Sequence, residues 1–150
     1  MPIKEILLEY NEKLKNKEQQ DLILQNKLKI RKNEILSFTN KIIYPALLKL
    51  KEEFENVGSG RTAFLTMDES EILLTVKYEQ NEEFAYKITT LSNEESFDVF
   101  LYIHHAGQNH VVIHGVQEKL LAGKNINNIS QEEIISDFYL RYKKFMLSRV

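Results

Sequence analysis

The chain contains no cysteine. This absence excludes disulfide bonds, thiolate metal ligands and cysteine nucleophiles, and it is compatible with a reducing compartment. No apolar run approaches the roughly 18 residues that span a bilayer, and Lys4 and Glu5 bring charge too early for a signal peptide. We therefore expect a cytoplasmic protein with no membrane partner, whose stability comes from the burial of apolar side chains.

Recognisable catalytic motifs are also lacking. Gly58-Ser59-Gly60 has neither the glycine spacing nor the following Lys-Ser/Thr of a phosphate-binding loop, and there is no Gly-x-Ser-x-Gly elbow. Adjacent carboxylates such as Glu82 and Glu83 fall in predicted turns or on helix surfaces, where they favour solubility and capping rather than acid-base chemistry. The sequence favours a protein that is not an enzyme.

The net charge is also small, at −2, although the charges are unevenly distributed along the chain. Residues 1–50 hold ten Lys/Arg against six Asp/Glu, a net charge of +4, whereas residues 51–150 hold ten against sixteen, a net charge of −6. The basic half is interrupted by Glu12, Glu18 and Asp21, so it offers no continuous stripe that follows a phosphate backbone. The pattern is typical of a solvated helix face, and we do not expect a nucleic-acid partner.

Glycine is absent before residue 58 and proline occurs only once between residues 3 and 57, which predicts a long helix. A seven-residue repeat selects twelve positions along it, of which nine are apolar, as in the seam of a coiled coil. These positions are Ile3, Leu7, Tyr10, Leu14, Lys17, Asp21, Leu24, Leu28, Arg31, Ile35, Phe38 and Ile42. The polar members, Lys17, Asp21 and Arg31, restrict the choice of register and partner.

A continuous helix over residues 3–43 would be about 60 Å long, too long to be covered by a domain of this size. We therefore expect residues 1–42 to project as a coiled-coil-like helix, and residues 43–150 to form a single α+β domain. Pro45 lacks an amide hydrogen and its ring crowds the carbonyl of Lys41, which predicts a kink near Tyr44.

The remaining sequence predicts an α+β fold. Short runs that alternate in polarity, separated by polar turns, indicate an antiparallel β-meander of four to five strands. The candidate strands are residues 62–67, 71–78, 83–90, 97–105 and 109–115. The fourth run is apolar on both sides, so we expect helices to cover both of its faces. A capping box at Ser130 to Glu133 begins a C-terminal helix that packs on the sheet.

All four histidines lie between residues 104 and 114. If residues 106–109 form a hairpin loop, His105 lies opposite His110, and two facing imidazoles supply two ligands to a divalent transition metal such as zinc. The alternative is that these histidines are half-exposed strand residues with no chemical role, because the spacing matches no established zinc motif. Apart from this metal, no cofactor is expected.

These features favour a non-enzymatic interaction or assembly protein. It would self-associate, most simply as a homodimer, and present its α+β body to a protein partner. The predicted interface residues are Leu7, Tyr10, Leu14, Leu24, Leu28, Ile35 and Phe38. The alternative function is a small metal- or ligand-binding protein, with or without hydrolytic activity, that uses His105 and His110.

Overall fold

The computed structural model of the chain describes residues 2–107 and 111–150. Helix α1 extends from Pro2 to Phe38 without interruption. Its 37 residues give it a length of about 55 Å. Pro2 lies in the first helical turn, where the backbone amides have no hydrogen-bond partner within the helix, so its missing amide hydrogen costs nothing. No glycine occurs within the helix.

The helix changes its hydrogen bonding just before Pro45. Residues Thr39–Ile43 form a π-helix, in which the amide of Tyr44 donates to the carbonyl of Thr39, five residues earlier. Helix α2 then runs from Tyr44 to Val57, with Pro45 in its first turn. A wider turn before proline accommodates its ring and its missing donor, so the irregularity predicted at this point is present.

Helix α2 ends at Gly58, whose φ of 66° lies in the left-handed region that favours glycine. Six antiparallel strands follow in a single sheet, in the spatial order β1-β2-β3-β4-β5, and β6 also pairs with β4. The strands are β1 (Arg61–Met67), β2 (Glu71–Tyr78), β3 (Asn81–Ser92), β4 (Phe97–Ala106), β5 (Val112–His114) and β6 (Glu118–Lys119). This order confirms the predicted antiparallel meander, to which the two-residue β6 is an addition.

Helix α3, Gln131–Ser148, begins at the predicted capping box. The hydroxyl of Ser130 accepts the amide hydrogen of Glu133 at 3.2 Å and donates to the Oε1 atom of the same residue at 3.2 Å. Between β6 and α3 the chain makes a tight turn at Leu120–Gly123, where Leu121 and Ala122 have positive φ, and a short 3₁₀ turn at Ile126–Asn128. The predicted long N-terminal helix, antiparallel sheet and C-terminal helix of an α+β fold are therefore confirmed.

The core lies between one face of the sheet, here called the inner face, and the helices. Its most deeply buried members come from β2, β3 and β4 and from α2 and α3. They include Leu47, Leu50, Leu74, Val76, Phe84, Tyr86, Ile88, Leu101, Ile134 and Phe138. Phe138 stands edge-on to Phe84, with their ring centroids 5.6 Å apart.

The opposite face of the sheet, here called the outer face, does not receive the cover expected for β4. Phe100, Tyr102 and His104 of this strand remain half-buried there, and Phe64 on β1 is 48% exposed. The helices instead contribute their buried side chains to the inner face. The expectation of cover on both faces was therefore wrong, because aromatic residues make β4 look apolar on a side that stays partly in water.

Candidate functional site

The N-terminal part of α1 lies outside the globular body. Every side chain from Pro2 to Asn26 is exposed. Lys27 is the first half-buried residue of the helix, and its Nζ atom lies 3.4 Å from Oε1 of Glu95 in the turn between β3 and β4. About 25 residues of α1 therefore make no contact that buries them within the chain.

Five of the seven predicted interface residues lie on this free part of the helix or just beyond it. Their exposed fractions lie between 38% and 60%. They are Leu7, Tyr10, Leu14, Leu24 and Leu28. Because residues spaced alternately by three and four lie on one side of a helix, these side chains form one apolar seam open to solvent.

The last two predicted interface residues, Ile35 and Phe38, have a different environment. They are only 9% and 7% exposed and belong to the core of the same chain. The ring of Phe38 lies 6.2 Å from that of Phe97 at the start of β4. The C-terminal end of the seam is therefore buried in the chain's own core. The predicted interface residues that remain open to a partner are those from Leu7 to Leu28.

Apolar side chains on α1 are not confined to the seam. Five more have exposed fractions between 50% and 62%, and all of them except Ile6 point toward the side of the helix away from the seam. They are Ile6, Leu8, Leu22, Ile23 and Ile30. Exposed apolar side chains clustered on one projecting element mark a site of interaction, so α1 is the strongest candidate for a functional surface.

The histidine hairpin differs in register from the prediction. His105 pairs with Ile113, and the last pair before the connection is Ala106 with Val112. The expected position of His105 opposite His110 was therefore based on too short a connection. His110 itself lies outside the described residues, so metal binding by His105 and His110 stays a prediction.

His105 points to the inner face of the sheet. Its ring lies 5.0 Å from that of Phe145 on α3. Together with Phe84, Leu101 and Arg141, it lines a cleft of about 400 Å³ between the sheet and α3. This cleft is mostly apolar, and it is the place where a small ligand would meet His105.

Two other histidines face each other on the outer face. His104 pairs with His114 across β4 and β5, and their ring centroids lie 5.8 Å apart. The Nε2 atom of His104 is 3.7 Å from Oε2 of Glu82, and the hydroxyl of Tyr102 contacts Nδ1 of His114. Burial lowers the pKa of His104, against the opposing effect of Glu82, so neutral pH favours its uncharged form.

No group of three or more His, Cys, Asp or Glu side chains within residues 2–107 and 111–150 is arranged to hold a metal ion. His104 and His114 therefore supply at most two ligands of such a site. A metal bound to this pair would need ligands from water or from a second chain.

The sequence gives no indication of the most deeply buried carboxylate, Glu83. Only 3% of its side chain is exposed, and its carboxylate accepts hydrogen bonds from Arg61, Tyr142 and Arg149. These bonds measure 2.8 and 3.2 Å from Nε and Nη2 of Arg61, 3.1 Å from Tyr142 Oη and 3.0 Å from Arg149 Nη1. The interpretation of Glu83 as a solubility residue was wrong.

A β-bulge explains why Glu83 points inward. In the pairing of β2 with β3, Val76 pairs with Phe84 and Lys77 with Glu82, so Glu83 has no partner residue. The extra residue shifts the alternation of side chains and places Glu83 and Phe84 both toward α3. No local signal in the sequence separates Glu83 from its exposed neighbour Glu82.

A second polar network also fastens α3 to the sheet. The hydroxyl of Tyr86 donates to Oδ2 of Asp137 at 2.7 Å, and Nε of Arg141 donates to the same oxygen at 2.9 Å. Burial raises the pKa of Tyr86 well above its usual value, and burial beside Glu83 raises the pKa of Tyr142 to about 12. Both carboxylates are already bound by cations and hydroxyls, so they are suited to holding structure rather than to acid-base work.

Comparison of the chain with family models, with curated proteins and with solved structures finds no match. Over the described ranges, none of the helices combines the length and the apolar character that crossing a membrane requires.

Proposed function

We propose that this chain is a non-enzymatic interaction protein that self-associates as a dimer through α1 and presents its α+β body to a protein partner. The observation that carries the proposal is the exposed apolar seam from Leu7 to Leu28. A helix held out in water with this many uncovered leucines gains stability from a second helix.

The leucines of the seam supply most of the apolar surface that pairing of α1 buries. Fully burying one leucine side chain contributes about 1.5–3 kcal/mol. Leu7, Leu14, Leu24 and Leu28 all lie on the seam, and each is exposed in the single chain. Pairing of two helices removes these side chains from water in both copies, and the sum offsets the entropy lost on association.

The body keeps its own surface for a partner. Its outer face carries Phe64, Tyr102 and His104 between threonine and lysine side chains, and the helices leave this face open. Mixed aromatic and polar character of this kind is typical of surfaces that bind other proteins. The paired part of α1, Leu7 to Leu28, includes no residue of the outer face, so dimerisation through α1 does not use this face.

Amide hydrogen exchange tests the role of α1 directly. We expect the amides of residues 3–26 in the full chain to exchange slowly at high protein concentration and faster on dilution, because pairing suppresses fraying. The amides of Tyr86 and Ile88, buried in the body, serve as the internal control and should keep their protection. Fast exchange of residues 3–26 at every concentration would contradict self-association through α1.

The cleft beside His105 supports a second candidate, a small metal- or ligand-binding protein. This candidate predicts one zinc ion per chain that survives dialysis and is lost when His105 and His110 are both replaced by alanine. The variant His104→Ala with His114→Ala is the matched control, because it removes two imidazoles from the outer face. Metal-free protein whose melting temperature is unchanged by added zinc would contradict this candidate.

A further inference from the structure

The middle of the seam carries two opposite charges. Lys17 and Asp21 occupy consecutive seam positions, and apolar residues lie on both sides of them. Toward the N-terminus the seam continues with Leu14 and Tyr10, and toward the body it continues with Leu24. All these side chains are exposed in the single chain, so they are free to contact a second chain.

A parallel pair of helices in register places each seam residue against its own copy. Lys17 then faces Lys17 of the second copy, and one layer later Asp21 faces Asp21 of the second copy. Two successive layers of like charge in the centre of the seam oppose association. Each Lys17 also lies one helical turn from Asp21 of its own helix and of the second copy, and this attraction across neighbouring layers offsets the repulsion within each layer only in part.

An antiparallel pair gives the opposite result. When residue i lies beside residue 38 − i of the second copy, Lys17 meets Asp21 and Asp21 meets Lys17, which makes two attractive layers. The layers outward from the centre are Leu14 with Leu24 and Tyr10 with Leu28, each of them twice. The seam positions alternate between two kinds, and in an antiparallel coiled coil each kind faces the other kind on the second helix. This alignment meets that condition. Every layer from residue 10 to residue 28 therefore joins two apolar side chains or two side chains of opposite charge.

We infer that α1 pairs with α1 of a second copy in the antiparallel direction, in the register that places Lys17 beside Asp21 of that copy. The inference rests on the proposed self-association and adds its direction and register. The charge pattern of the seam carries it, because parallel pairing brings like charges together and this antiparallel register brings opposite charges together.

The charged residues that flank the seam favour parallel pairing, but more weakly than the seam favours antiparallel pairing. The antiparallel register brings Lys13 near Lys27 of the second copy and Glu18 near Glu18, whereas a parallel pair brings Lys13 near Glu18. These side chains are at the rim of the interface, where screening leaves each pair little effect, and Lys27 already lies beside Glu95 of its own chain. The more enclosed seam layers therefore decide the direction.

The fold also limits how far the pairing extends. Ile35 and Phe38 are buried against the chain's own sheet, so the shared seam ends before them. In this register Ile35 of the two copies is separated by 32 helical positions, or about 48 Å along the axis. The two bodies therefore lie at opposite ends of a rod, each with its outer sheet face free.

Spin-label distances test the direction of pairing in the full chain. The chain has no cysteine, so Glu5→Cys provides one label on the side of α1 away from the seam. Antiparallel pairing separates the two labels by 28 helical positions, and we expect a distance of about 40–50 Å. Parallel pairing predicts a distance below about 30 Å, set by the width of two helices and the label arms.

The two ways of failing are distinguishable. A short distance overturns the antiparallel direction while self-association through α1 stands. Absence of any dipolar coupling, together with the mass of a single chain, overturns the proposed self-association itself. Pairing with a different protein would leave the labels uncoupled in the purified chain, and it too overturns the inference.

Charge reversal tests the register. Lys17→Asp, or Asp21→Lys, turns both central layers from attractive to repulsive, and we expect dimerisation to weaken by at least about tenfold. The double variant Lys17→Asp with Asp21→Lys restores opposite charges and should recover the affinity of the original chain. Helical content measured at high protein concentration checks that α1 still forms. Unchanged affinity in both single variants overturns the register.

Discussion

Replacing Leu24 and Leu28 together with glutamate is expected to convert the dimer into a monomer. Both leucines lie on the open seam, and a dimer buries four of them. Leu24 and Leu28 are 38% and 45% exposed in the single chain, so burying the remainder of each contributes on the order of 1 kcal/mol, and the loss of about 4 kcal/mol weakens the dissociation constant about a thousandfold. Sedimentation equilibrium of the variant over a range of concentrations measures this change.

The matched control places the same two negative charges on the other side of α1. Gln19 and Asn26 are exposed and lie opposite the seam. The variant Gln19→Glu with Asn26→Glu should keep the mass and the dissociation constant of the original chain within a few-fold. Equal effects of the two double variants would show that charge alone, and not the seam, governs association.

Replacing Glu83 with alanine is expected to destabilise the fold by about 3–5 kcal/mol, the usual result of removing one partner from a buried ion pair. Arg61 is mostly buried and would lose two hydrogen bonds, and the hydroxyl of Tyr142 would lose its acceptor. Arg149 is nearly half exposed and would recover hydration in part. The free energy of unfolding in urea, measured at one fixed protein concentration, reports the effect.

Glu82 supplies the control for this substitution, because it has the same charge and is the preceding residue. Its side chain is about half exposed and lies on the outer face beside His104. Glu82→Ala should change the free energy of unfolding by no more than about 0.5 kcal/mol. If Glu83→Ala were equally mild, the ion pairs around Glu83 would not hold α3 to the sheet.

The order and type of the secondary structure were predictable from the sequence. The missing glycine and the seven-residue repeat predict α1, and the alternation of residues such as Ile72, Leu74 and Val76 predicts β2. Ser130 and Glu133 fix the start of α3 through local hydrogen bonds that involve only residues three apart. These features depend on neighbours in the sequence, and they were confirmed for that reason.

Features that depend on distant contacts were less accessible. The seven-residue repeat continues through Ile35 and Phe38 because a helix that packs on a sheet needs the same apolar spacing as one that packs on a second helix. The sequence pattern therefore does not show where the seam leaves solvent and enters the core. The partner surface at that point, around Phe97, is about sixty residues further along the chain.

The candidate polar sites show the same limit. One extra residue in β3 turns Glu83 inward, and a hairpin connection three residues longer than expected places Ile113 rather than His110 opposite His105. A shift of a single residue exchanges the two faces of a strand, so alternation alone does not determine the environment of these side chains. The bulge and the hairpin register are defined by which residues pair between strands, and that pairing is known only from the structure.

The mass of the unmodified full chain in solution tests the central claim most directly. One chain has a mass of 17.7 kDa. Light scattering across a dilution series should give twice this value at high concentration, falling toward 17.7 kDa on dilution. A mass of 17.7 kDa at every concentration, with α1 still helical, would contradict self-association through the exposed seam.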